Sequence, residues 1–274
     1  MKRSILLVIF SASFIAARVE AQTFTFSTGL PDGRMATASR TDTPGSFEIE
    51  SADDFVLTSS TQITGATFTG LLPSNFNLSS ISQVQVEIYR VFPNDSNVAR
   101  TSGPPTFSTA QVPTRVNSPS DVAFDSRNSL SGGGLTFMPA LLSANFTANN
   151  SILPGGIHPS PNQATGGNGP VTGEEVQFNV TFTTPFNLPA DHYFFVPQVD
   201  LTAGAGNFLW LSAPRPIVPP GTPFPPGFTD LQAWTRDANL DPDWLRQGTD
   251  IVDTIGTTVA PTFNETFSLV GTVP

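Results

Sequence analysis

Polar and apolar positions alternate most regularly between Val176 and Thr183. Val176, Phe178, Val180 and Phe182 interleave with Gln177, Asn179, Thr181 and Thr183, the period of a strand with one face in water. Thr184-Pro185 and Leu188-Pro189-Ala190-Asp191 punctuate the run. A second stretch, His192 to Gln198, is apolar enough to predict a strand buried on both faces. The two are the expected central strands of an antiparallel β-sandwich.

The rest of the chain supplies weaker copies of the pattern. Thr23 to Ser27 alternates, and Ile63 to Leu72 follows with Gly65 and Gly70 as bulge or close-approach positions. Gln83 to Phe92 turns Val84, Val86 and Ile88 to one side and Gln85, Glu87 and Tyr89 to the other. Ser46 to Leu57 reads as two short strands, Phe47-Ile49 and Phe55-Leu57, with an acidic bend between them. Val122 to Asp125, Leu135 to Leu142, Asn145 to Ala148, Asn207 to Ser212 and Thr262 to Leu269 complete the predicted strands. Helical turns are expected only at Leu231 to Trp234 and Asp243 to Leu245. About ten short strands separated by turn residues predict an all-β fold of two packed antiparallel sheets, with a jelly roll as the specific expectation.

Composition sharpens this picture. The 274 residues include 26 prolines, 22 glycines and 23 phenylalanines, with only 12% charged, which suits a folded β-domain rather than a disordered chain. Lys2-Arg3, the apolar run Ile5 to Phe10 and Val19-Glu20-Ala21 before Gln22 read as a secretory signal over residues 1–21. Residues 22–274 are then expected as a single exported domain, because the proline run after Ala213 leaves too little chain behind it for a second core. Removing residues 1–21 moves the net charge from −10 to −12 and leaves no lysine. Such a chain is repelled by nucleic acid and by anionic membranes, and no apolar segment is long enough to span a bilayer. Cysteine is absent, so the fold relies on its core or on a bound metal.

Two stretches carry a resemblance. Ala52 to Gly70, ADDFVLTSSTQITGATFTG, and Leu188 to Val196, LPADHYFFV, resemble segments of secreted bacterial surface proteins that carry a PEP-type sorting anchor. The second is also similar to hairpins of jelly-roll carbohydrate-binding modules, although Asp191 stands where glycine is usual. The resemblance implies an extracellular β-sandwich with no activity attached. The chain ends at Gly271-Thr272-Val273-Pro274 without the anchor of that pattern.

Candidate chemistry lies in three places. Asp237, Asn239, Asp241 and Asp243 set oxygen ligands at alternate positions, as calcium loops do; Pro242 and Gly248 replace the glycine and glutamate of an EF-hand. A calcium ion there would staple a loop in a chain without disulfides. Trp234 and Trp244 flank this loop and are the candidate rings for a sugar face; their alternative role is to pin the loop to the core. Glu48, Glu50, Asp53 and Asp54 form the third cluster, with the spacing but not the acid types of a jelly-roll glucanase signature. His158 and His192 are the only histidines, and no serine-hydrolase, zinc-protease or nucleotide-binding motif is present. The leading expectation is therefore a non-enzymatic recognition or matrix protein outside the cell, with extracellular polysaccharide or calcium as ligand. The alternative is a jelly-roll glycoside hydrolase or lyase acting through residues 48–54.

Overall fold

The computed structural model describes residues 22–100, 117–157, 164–202, 204–214, 230–253 and 260–274. The expected signal over 1–21, His158 and the proline run after Pro214 lie outside the described residues. Chain order begins with β1 (Gln22–Ser27), β2 (Ala36–Ala38), β3 (Ile49–Leu57), β4 (Thr61–Leu72) and β5 (Ile81–Arg90). Next come β6 (Asp125–Asn128), β7 (Leu135–Ala148), β8 (Ser151–Ile152), β9 (Val171–Leu188) and β10 (Asp191–Leu201). The last five are β11 (Leu209–Ala213), β12 (Trp234–Asp237), β13 (Leu245–Arg246), β14 (Asn264–Glu265) and β15 (Phe267–Val273).

These strands build the expected sandwich of two sheets. The nine-stranded sheet runs β1-β15-β4-β11-β2-β8, with β9 and then β7 added on the other side of β4 and β14 added to β11. The six-stranded sheet runs β13-β12-β3-β10-β5-β6. Neighbours are antiparallel except β2 with β8. Phe178, Val180 and Phe182 of β9 face Phe55 of β3, Val84, Val86 and Ile88 of β5, and Phe195 of β10 in the shared core. Phe68 stacks on Phe178 with ring centroids 4.9 Å apart, and Phe195 on Phe267 at 5.0 Å. Each such ring contributes about 1.5–3 kcal/mol by burial, so the aromatic layer is the main source of cohesion.

Several local expectations change once tertiary partners are in place. Thr184-Pro185 does not end its strand: β9 continues to Leu188, and the proline sits in a wide bulge between the pairs Gly65–Thr181 and Ile63–Phe186. Arg127 holds that bulge, donating from Nε to the Thr184 carbonyl at 2.7 Å while its guanidinium lies over Phe186. The acidic bend at Ser51 to Asp54 is instead the middle of one continuous strand, β3, buried at every position. Leu135 to Ala148 is likewise one strand, and the predicted edge strand starts at Asp125. The expected helical turns at 231–234 and 243–245 give way to β12 and β13, and the wound turn is Gln247–Val252. Gly70 is a close-approach position, because a Cβ there would meet the Phe208 ring at 2.1 Å.

Candidate functional site

The six-stranded sheet is covered on both faces. β10 is buried at all nine positions from His192 to Asp200, as its apolar run predicts. Its outward residues Phe194 and Val196 pack with Ala52, Tyr89, Leu231, Trp234 and Trp244 in a second apolar layer. Alternation along β3 places Glu50, Ala52 and Asp54 on this outer face and Ser51, Asp53 and Phe55 on the inner one.

Glu50 therefore meets a covered network instead of solvent. The Arg236 Nε donates to its carboxylate, and the Arg236 Nη2 donates to the Tyr89 hydroxyl at 2.9 Å. That hydroxyl lies 2.6 Å from Glu50 Oε1 and 2.9 Å from Glu87 Oε2. The guanidinium also sits 4.3 Å from the Trp244 ring centroid and pairs with Asp241 at 2.8 Å. Burial is the largest single influence on Arg236 and lowers its pKa, but Glu50, Tyr89 and Asp241 together outweigh it and the net shift is upward. Burial, then the neighbouring Glu50 charge, pushes Glu87 up to about 8. Glu87 also accepts from Gln85 Nε2 at 3.0 Å, and because the single Tyr89 proton can go to only one of the two carboxylates, a proton held on Glu87 satisfies the other contact.

Asp53, on the opposite face, accepts the backbone N–H of Glu265 at 2.8 Å. Glu265 in turn accepts from Gln247 at 2.8 Å, and Gln247 accepts from Thr37. Burial first, then Asp54, raises the Asp53 pKa well above its ordinary value, and burial pushes Glu265 up to about 8. Glu50 and Asp53 thus never face one another across a cleft, and this arrangement gives no support to glycoside cleavage by residues 48–54. Glu48, half-buried, accepts from Gln198 at 3.0 Å.

The other predicted site residues are placed as follows. Trp234 and Trp244 are 0% and 1% exposed. Their indole N–H groups donate to the carbonyls of Leu231 and Ser120, both at 3.1 Å. Neither ring offers a face to a sugar, so the pinning role is the one the geometry supports. Asp237 Oδ1 accepts from the backbone of Asn239 and Leu240, each at 3.0 Å, which closes a turn. Asp241 is turned to Arg236, Asn239 is exposed and Asp243 is buried. Among the described residues no group of three or more His, Cys, Asp or Glu side chains is placed to hold a metal ion. His192 Nε2 lies 2.5 Å from Asp54 Oδ2 in the covered layer.

An open cleft of about 380 Å³ lies elsewhere, lined by Arg40 and residues 43–46 on one side and by Asp200, Thr202, Gly204 and Asn207 on the other. Thr43 and Ser46 bond backbone to backbone in both directions across Pro44-Gly45, and Gly45 takes the positive φ of +92° that this hairpin turn requires. Arg40 projects from the hairpin. It donates to the Phe47 carbonyl at 3.0 Å and to Asn207 Oδ1, and its guanidinium lies 5.2 Å from the Phe47 ring centroid. Phe47 is 39% exposed.

Asp200 stands in the same wall with its oxygens held by the Thr41 backbone and hydroxyl. Burial raises its pKa and lowers that of Arg40. Among the described residues Arg40 has no carboxylate within ion-pair distance. A half-buried guanidinium, a carboxylate, an amide and several hydroxyls thus converge beside an exposed ring.

No protein family, curated protein or solved structure matches the chain. The cleft is therefore judged on its own chemistry. A second cleft, about 590 Å³, lies on the outer face of the nine-stranded sheet among Leu30, Thr67, Thr69, Gln177, Pro214 and Ser268. Its lining residues carry no charge, and it lacks the planar charged groups that fix a polar ligand's orientation. No helix among the described residues is long and apolar enough to cross a membrane.

Proposed function

We propose that the protein is a non-enzymatic β-sandwich that acts outside the cell and binds a neutral carbohydrate in the cleft of Arg40, Asp200 and Asn207. The observation that carries this reading is Arg40 itself. It is partly desolvated, unpaired with any carboxylate among the described residues, and set against the exposed Phe47 ring.

Sugar hydroxyls both donate and accept, so they suit a wall that presents guanidinium, carboxylate and amide together. The apolar face of a pyranose suits the neighbouring ring. The formal charge of −10, with Asp200 in the wall and Asp42 beside it, repels anionic polymers and favours neutral ones. Action outside the cell rests on the signal-like residues 1–21.

Calorimetric titration against a panel of neutral oligosaccharides tests the reading. Binding should weaken at least about tenfold, or about 1.4 kcal/mol, in Asn207→Ala and in Phe47→Ala. Binding that ignores both substitutions, or no binding across the panel, would reject it.

A further inference from the structure

Asn207 lines two hollows at once, and the second is of a different kind. Beyond the Arg40 cleft it borders a pocket of about 120 Å³, walled by Leu72, Pro73, Leu153, Val171, Thr172 and Leu209. No charged side chain lines this pocket. Leu72 and Leu209 are buried at its base, while Pro73, Leu153 and Val171 are half-buried. Gly206 approaches Pro73 so closely that a Cβ would meet the ring at 2.8 Å, and this approach sets Asn207 between the two hollows.

Asn207 also keeps a free donor. Arg40 Nη1 donates to it, and a guanidinium can only donate, so the amide oxygen is the atom that faces Arg40. The Nδ2 group is left with two N–H bonds, and among the described residues neither finds an acceptor.

A free donor beside a small apolar hollow suits a carbonyl with a methyl attached. A pyranose held by Arg40, Asp200 and the Phe47 ring occupies the larger cleft. The smaller pocket cannot take a second ring, because a benzene-sized molecule already needs a cavity of about 150 Å³. It has room for a substituent. Its side chains offer a hydroxyl little beyond Thr172, which already bonds Thr147 at 2.7 Å, so a buried sugar hydroxyl would lose its partners. A free amine would meet a guanidinium and an apolar wall, and neither suits it. An acetamido group fits both parts: its carbonyl accepts from Asn207 Nδ2 while its methyl leaves water against Pro73, Leu153 and Val171.

We infer that the carbohydrate is an N-acetylated sugar, read at its acetyl group by Asn207 and the adjoining pocket. The inference rests on the carbohydrate reading above and narrows it to one class of neutral glycan.

Calorimetric titration with the trimers of N-acetylglucosamine, glucose and glucosamine, all in the same linkage, separates the two. These probes differ only in the substituent beside the anomeric carbon. A buried methyl and one added hydrogen bond should make the acetylated trimer bind at least about tenfold tighter than the glucose trimer. The glucosamine trimer, although attracted by the negative chain, should also fall behind it. Val171→Phe fills the pocket and should bring the acetylated and glucose trimers to within about twofold of each other, as should Asn207→Asp, which keeps an acceptor for Arg40 but removes the donor.

The comparison of probes on the parent chain needs no variant to fold. Equal binding of the acetylated and glucose trimers, both weakened by Phe47→Ala, would overturn the inference and leave the carbohydrate reading standing. So would an acetyl preference that survives both pocket substitutions. No binding of any trimer by the parent would overturn both.

Discussion

The guanidinium of Arg236 rests on the Glu50 carboxylate inside the covered face of the six-stranded sheet, 4% and 3% exposed respectively. The pair joins β12 to β3, across the register in which Arg236 stands opposite Glu50. Two ions out of water are costly unless each is paired and bonded, and here Tyr89, Asp241 and the carbonyls of Asp121 and Pro242 complete the shell.

Removing one partner should therefore be far worse than removing both. Arg236→Met strands a buried carboxylate and should cost about 3–5 kcal/mol in urea unfolding. Arg236→Met with Glu50→Leu leaves apolar groups on both sides and should recover at least half of that loss. A single variant within about 1 kcal/mol of the parent would show that the pair does not hold the cover in place.

The raised carboxyl groups set a direction for pH dependence. Burial lifts Glu87 and Glu265 to about 8 and Asp54 to about 6, and it lifts Asp53 as well. An unfolded carboxyl titrates near 4, so between those limits the folded chain holds protons that the unfolded chain has released. The stability these groups contribute is complete below about pH 4, where the unfolded carboxyls are also protonated, and declines from there until pH has risen through their folded values.

Urea midpoints measured from about pH 5 to about pH 8 should fall, with a slope near 1.4 kcal/mol per pH unit for each proton fully held. Glu87→Gln should flatten the upper part of that curve. Midpoints that climb over this range would contradict the protonated network.

The fold was legible where partners did not matter. Val176 to Phe182 shows its buried face in the alternation itself, and His192 to Gln198 shows burial on both faces. Residues 51–54 were not legible, because Asp53-Asp54 carries turn-forming residues and local preference favours a bend. Their strand is stabilised by the Glu265 N–H and by His192, 212 and 138 residues away in sequence.

Arg236 and Glu265 gave no signal at all, since the carboxylates they meet on β3, Glu50 and Asp53, lie 186 and 212 residues away in sequence. The candidate cleft was hidden for the same reason: Arg40 and Asn207 come from loops 167 residues apart. The aspartate spacing of 237–243 was visible, yet alternate oxygens also suit a closed turn, and only the backbone N–H groups of Asn239 and Leu240 distinguish the two.

That turn gives a direct check on calcium. Asp237 caps two backbone donors, so Asp237→Ala should cost about 1 kcal/mol, as lost side-chain caps do. Melts of parent and variant in chelator and in excess calcium should show the same difference. A calcium-dependent rise in the parent that vanishes in Asp237→Ala would instead assign the loop to a cation.

All three tryptophans of the chain are nearly inaccessible, and each indole N–H is bonded to a carbonyl, with Trp210 donating to Thr266 at 2.8 Å. Native fluorescence should therefore resist acrylamide, with quenching rising several-fold only on unfolding. If carbohydrate enters the Arg40 cleft, as proposed, saturating sugar should change neither the emission maximum nor the quenching, because no indole reaches that wall. A sugar-dependent shift in the emission of the parent, lost in Trp244→Phe but kept in Asn207→Ala, would move the binding site to the covered face and away from the cleft.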